Sequence, residues 1–184
     1  MPVFVAMLRG INVTGHNIIP MEQLRSHCAA LGLKNLKTYV QSGNIVFDAK
    51  ETPEHWAKAI EGMIKKKFTF DVPVIVRTEA EMEAVFKANP FLEQKGVDAA
   101  RLYVSFLSDL PGKEGLKALA SVAAAEDRFE SVGHEIYLYC PGGYGNTKLS
   151  NNLVEKKLGT RATTRNWNTV GKLCAMAQAL VTAA

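Results

Sequence analysis

Arg9-Gly10-Ile11-Asn12-Val13-Thr14-Gly15-His16-Asn17 and Gln41-Ser42-Gly43-Asn44 are the first residues whose types and spacing could do chemistry. Glycines and asparagines at this density make turns whose backbone N–H groups face outward, where they can surround an anion or a polar substrate. Arg9, Asn12, Thr14, Gln41, Ser42 and Asn44 are the ligand-contacting candidates here, against the plainer reading that the asparagines satisfy only their own turns. A second set is Pro141-Gly142-Gly143-Tyr144-Gly145-Asn146-Thr147-Lys148 with Thr163-Thr164-Arg165-Asn166-Trp167-Asn168. Each segment precedes a helical pattern, and a helix N-terminus offers unsatisfied N–H groups and about half a unit of positive charge. Gly143, Gly145, Lys148, Thr164, Arg165, Asn166 and Asn168 are the candidates of this phosphate or carboxylate cradle. The glycine run lacks the spacing of a Walker A loop. Its plainer reading is a tight turn followed by an asparagine N-cap.

General-base chemistry has little to draw on. His16 is the one loop histidine of the first set, and no carboxylate pair accompanies it. Catalytic residues are therefore left unassigned. His27 and Cys28 are adjacent in a helical pattern and point about 100° apart, so they do not form a nucleophile and base. Cys28, Cys140 and Cys174 are odd in number and far apart, with no metal-ligand spacing, and read as packed free thiols. Neither a metal nor a cofactor is implied.

These loops need a scaffold, and composition allows an ordinary globular one. The chain has 184 residues, 47% hydrophobic and 22% charged, with a net charge of +4. The charge is local: from Cys140 to Ala184 there are six basic residues and one acid, while residues 1–139 come to −1. No apolar run approaches the roughly 20 residues that span a bilayer, and the stretch from Met1 to Arg9 is too short for a signal peptide. A cytoplasmic protein with no membrane partner is the expectation.

Val3-Phe4-Val5-Ala6-Met7-Leu8 and Leu102-Tyr103-Val104-Ser105-Phe106-Leu107 are near repeats. In the first copy a helix with Met21, Leu24, Cys28 and Leu31 in phase follows, started by Pro20 and stopped by Gly32. Strands at Leu36–Gln41 and Ile45–Asp48 come next, then a helix opened by Thr52-Pro53 with Trp56, Ile60, Ile64 and Phe68 on one stripe, then a strand at Pro73–Arg77. This order is βαββαβ, the ferredoxin-like split unit. In the second copy Pro111–Ala125 is the first helix, Arg128–Val132 and Glu135–Cys140 the hairpin, and Lys148–Leu158 the second helix. Arg161–Thr164 supplies a weak last strand, and an added helix over about 167–181 ends the chain.

The fold class is therefore α+β, a tandem duplication of ferredoxin-like units. The expected domains are residues 1–78, a linker of residues 79–98 whose helix is opened by the capping box Thr78-Glu79-Ala80-Glu81, and residues 99–184. In a split βαβ unit the strands of a crossover end at one sheet edge, which should bring residues 9–17 to residues 41–44, and the turn after Cys140 to the residues after Thr164.

Three segments resemble the domain of unknown function 1697 family of small, mostly bacterial proteins: Leu8–Val13, Tyr39–Phe47 and Thr163–Val170. The family commonly has glycine where Thr14 stands. The resemblance implies a duplicated ferredoxin-like architecture and no established activity.

The leading expectation for function is a protein that holds a small anionic or phosphorylated ligand with Arg9, Lys148, Arg165 and loop amides. Nucleic-acid binding is an alternative that the sequence disfavours. Strands apolar at consecutive positions bury both faces of a sheet, the aromatic-rich RNA-binding motif is missing from Gly43 to Ala49, and the sequence pI of about 8.9 is modest. An enzyme using the same loops is a further alternative. A homodimer is possible if the strands hide one sheet face against a partner.

Overall fold

A computed structural model describes residues 1–124 and 126–183. The chain forms two compact units, Met1–Ala84 with Lys172–Ala184, and Val85–Gly171.

The first unit contains β1 (Val3–Leu8), α1 (Met21–Ala30), β2 (Lys34–Tyr39), β3 (Asn44–Asp48), α2 (Pro53–Phe68) and β4 (Val74–Thr78). The sheet order is β2-β3-β1-β4, with every neighbouring pair antiparallel. Burial of Phe4, Ala6 and Leu8 with Leu24, Cys28, Ile60 and Ile64 joins the sheet to both helices in one apolar core. The helix ends follow local chemistry. Thr52 Oγ1 accepts from His55 N–H at 3.3 Å at the start of α2, where Pro53 loses no hydrogen bond. At its end Thr69 turns left-handed, and its N–H donates to Lys65 O at 3.1 Å. Lys65, Lys66 and Lys67 are exposed while Trp56, Ile60 and Ile64 are buried, as the stripe predicts.

The capping box is built as its sequence predicts. Thr78 Oγ1 accepts from Glu81 N–H at 3.2 Å, and Glu81 Oε2 accepts from Thr78 N–H at 2.7 Å, opening α3 (Glu79–Lys87).

The second unit contains β5 (Leu102–Leu107), α4 (Lys113–Ala120), β6 (Arg128–Val132), β7 (Glu135–Tyr139), α5 (Asn151–Leu158) and β8 (Ala162–Asn166). Its sheet order, β6-β7-β5-β8, repeats that of the first unit. A last helix, α6 (Trp167–Thr182), follows directly. Together the two units are a duplicated ferredoxin-like fold.

Element boundaries differ from the sequence expectations, among them β2, which was expected over Leu36–Gln41 and is formed by Lys34–Tyr39, leaving Val40 and Gln41 in the turn. The helix expected over 111–125 ends as α4 at Ala120, and Ala125 lies outside the described residues. The helix expected from Lys148 starts at Asn151, because Tyr144–Asn146 forms a separate 3-10 turn and Ser150 is the N-cap, its Oγ accepting from Leu153 N–H at 3.4 Å. The last strand is not weak. β8 pairs with β5 at five successive positions, from Ala162 opposite Leu107 to Asn166 opposite Tyr103, so the strand expected to stop at Thr164 runs on through Arg165 and Asn166, which were expected in the loop. Threonine's β-branching suits a strand, and the pairing with β5 decides the matter.

All six residues of β1 are buried, and in β5 only Tyr103 is partly exposed. Both faces of each central strand are therefore closed to solvent.

Candidate functional site

At the end of β1 the backbone must leave the sheet, and it does so through residues 9–20 before α1 begins. The hairpin between β2 and β3 meets this segment. Leu8 N–H donates to Gly43 O at 2.8 Å, and Met7 stands opposite Asn44. The Asn12 carboxamide is the principal tie. Its Nδ2 donates to Gln41 O at 2.9 Å and to Ile19 O at 3.0 Å, and its Oδ1 accepts from Ile19 N–H at 2.8 Å. Asn17 Nδ2 donates to Gly10 O at 3.0 Å, which closes the loop on itself. Asn44 is buried and donates to Tyr39 O at 3.0 Å and Ser42 Oγ at 3.1 Å. The two loops expected at one edge do meet there, and the asparagines are the residues that hold them.

The backbone of this loop is unusual. Gly10, Asn12, Thr14, Gly15 and Asn17 have φ between +46° and +80°, whereas Ile11, Val13 and His16 do not, so the handedness changes repeatedly along the turn. Such changes point successive N–H groups into a concavity. Among the described residues, the N–H groups of Thr14 and Gly15 have no hydrogen-bond partner in the protein. The φ of +46° at Thr14 is one that glycine adopts freely, which accounts for the common family form at that position. Gly43 is constrained more tightly. At φ +84°, a side chain there would bring its Cβ within 2.7 Å of Ile11 Cδ1 and 2.8 Å of Leu8 Cβ.

Thr14, Gln41 and Ser42 are exposed at this edge. Arg9 is half-buried, and its backbone N–H donates to Pro73 O at 2.9 Å. His16 is exposed, its N–H donating to Val13 O at 2.9 Å.

In the second unit the expected residues separate into three environments. The turn after β7 carries Gly143 at φ +87° and exposed Gly145 and Lys148. A Cβ on Gly143 would lie 3.0 Å from Arg101 Nη1, so Arg101 borders this turn. Nothing in the sequence flagged Arg101, which precedes β5 and meets the turn only because Cys140 N–H donates to Arg101 O at 3.0 Å.

Thr164 lies on one face of the sheet, paired with Ser105. Its hydroxyl is 2.6 Å from Ser105 Oγ and donates to Asn151 Oδ1 at 2.9 Å, while Asn151 Nδ2 donates to Ala162 O at 2.9 Å. The Tyr144 hydroxyl is buried nearby without a hydrogen-bond partner, although Thr164 and Asn151 are close enough to favour its ionised form. Burial outweighs them and pushes the phenol above its ordinary value.

Arg165 occupies the opposite face, in register with Val104. It is only 8% exposed, and its Nη1 donates to Thr163 Oγ1 at 2.8 Å and to Thr164 O at 3.0 Å. Desolvation pulls its pKa down to about 10, against a smaller opposing effect of Tyr144, and leaves it cationic at neutral pH. Asn166 caps α6 by accepting Thr169 N–H at 2.8 Å, the plainer reading of that residue. Asn168 is exposed. Trp167 is buried and stacks on Phe86, with ring centroids 4.9 Å apart and planes 7° from parallel.

The three thiols are buried and free. Desolvation pushes Cys28 up to about 12 and Cys174 to about 11, and raises Cys140, so none is a ready nucleophile. Among the described residues no group of three or more His, Cys, Asp or Glu side chains is arranged to hold a metal ion. Among the described residues no helix is long and apolar enough to cross a membrane.

A family model described as "Protein of unknown function (DUF1697)" matches residues 1–137. The chain belongs to this family. The DUF1697 match includes the Leu8–Val13 and Tyr39–Phe47 segments of the first unit's loop cluster, and Thr163–Val170 lies beyond it. Among solved structures, the conserved bacterial protein SP0830 from Streptococcus pneumoniae is similar to this DUF1697 member at a TM-score of 0.76. It is 21% identical, with 96% of this chain and 98% of that chain covered, a likeness of fold. No curated protein matches the chain.

Proposed function

We propose that the protein binds a small anionic or phosphorylated molecule at the edge of the first unit, on the Thr14 and Gly15 amides, with Arg9 supplying positive charge. The observation that carries this reading is the pair of N–H groups without a partner, held in a turn of alternating handedness that Asn12 ties to Gln41 and Ile19. An unmet amide in a fixed turn is a donor that needs no reorganisation before it meets an oxygen. The glycine turn of the second unit, with Arg101 at Gly143 and with Lys148, offers a further location of the same chemistry. Arg165 contributes positive charge to the second unit from its buried strand position rather than as a contacting residue.

The closed central strands favour this reading over nucleic-acid binding, because an RNA-binding sheet needs exposed aromatic side chains there. Three buried free thiols support a reducing, cytoplasmic setting.

A thermal-unfolding panel of nucleotides, sugar phosphates and carboxylates tests the proposal. A ligand present at 100 times its dissociation constant adds about 2.7 kcal/mol of stability. Asn12→Ala unties the turn and should abolish most of that gain. A panel in which no member stabilises the protein would reject the reading.

A further inference from the structure

We infer that the molecule bound at this edge is an amphiphilic anion, with a charged head on the Thr14 and Gly15 amides and an apolar body against Val13, Ile18 and Val40; this rests on the anion reading above. The three side chains are 52%, 54% and 48% exposed. Each is adjacent in sequence to a residue held through the Asn12 carboxamide: Val13 to Asn12 itself, Ile18 to Ile19, and Val40 to Gln41. Scattered apolar residues on a surface need no explanation, but these three flank positions that one carboxamide gathers at one edge of the unit. The two open amides belong to the same loop, Val13 directly preceding Thr14.

Val40 adds an independent argument. Its φ of +48° lies in the left-handed region, where a β-branched side chain is a genuine outlier. Asparagine or glycine would adopt this conformation with less strain and would leave no apolar surface in water. A valine placed there for packing would be buried, and this one is not. Strain combined with exposure points to contact with something outside the chain. A polar sugar phosphate satisfies the amides and leaves these apolar side chains wet, whereas an aryl or alkyl phosphate or carboxylate covers both.

Inorganic phosphate, glucose 6-phosphate and phenyl phosphate share a phosphate head and differ in body. Titrated against the isotope-labelled protein, all three should shift the Thr14 and Gly15 amide resonances. Phenyl phosphate should bind about tenfold more tightly than the other two, the effect of burying roughly two methylene equivalents. Val40→Asn and Ile18→Ser should remove that advantage and leave inorganic phosphate affinity unchanged. Val40→Asn should also unfold at higher temperature than the parent, which separates lost binding from lost folding. Equal affinities for the three probes would overturn the amphiphile and leave the anion site intact. If no probe moves the two amides, the anion reading falls and the amphiphile with it.

Discussion

Gly43 shows how one residue can hold a site without touching a ligand. Its left-handed φ and the crowding by Ile11 and Leu8 leave no room for a methyl group, so the hairpin lies directly against the loop that follows β1. Gly43→Ala should therefore force the two loops apart. We expect a loss of about 2–4 kcal/mol in denaturant unfolding, combining backbone strain with overpacking. A loss below about 0.5 kcal/mol would mean that the loops can relax without each other. Asn12 works differently, as one carboxamide that donates to two carbonyl oxygens and accepts from one backbone N–H, and its role was visible in the sequence only as one possibility among turn formers.

At the scale of elements, the helix signals were the most legible. The Thr78 to Glu81 box is reciprocal in the structure as its spacing requires, and Thr78→Ala should cost about 1 kcal/mol, read as a lowered unfolding midpoint. The strand order and the meeting of residues 9–17 with the hairpin also followed from local patterns, because a split βαβ connection leaves few topologies. What local patterns could not supply was pairing at a distance. Arg165 and Asn166 read as part of a polar loop in isolation and become strand residues through their pairing with Val104 and Tyr103 on β5. The same distance hid Arg101, which meets the glycine turn only after β5 and β7 are side by side. Val40 was hidden for another reason: its residue type favours a regular strand, and only the backbone reveals the left-handed turn.

Across the whole molecule, the two copies repeat strand order but elaborate different connections. The first unit lengthens the passage from its first strand to its first helix, residues 9–20, where the second needs only residues 108–112. The second lengthens the passage from its third strand to its second helix, residues 140–150, where the first needs only residues 49–52. The local +5 of the last quarter accompanies the second elaboration, although Arg165 carries its share inside the sheet.

The thiols, one or more in each unit, impose a pH dependence on the whole fold. In the unfolded chain a thiol ionises near its ordinary 9.0, but Cys28 in the folded protein resists until about 12. The stability this difference represents is present below pH 9 and is lost as pH rises from about 9 toward 12, since the unfolded state releases its proton first. Urea unfolding at pH 7, 9 and 10.5 should show the parent losing stability more steeply than Cys28→Val over that range. Parallel slopes for the two proteins would remove Cys28 as a cause.

The first unit includes Lys172–Ala184 as well as Met1–Ala84, with Cys174 Sγ 3.2 Å from Met82 O inside it. During translation, its own last segment is therefore made only after residues 85–171 have been added. At about 5–20 residues per second, the nascent first unit waits several seconds with part of its packing unfilled. Domains made first on a ribosome ordinarily finish first. Here the order is reversed, and the second unit can complete its sheet while the first is still unfinished.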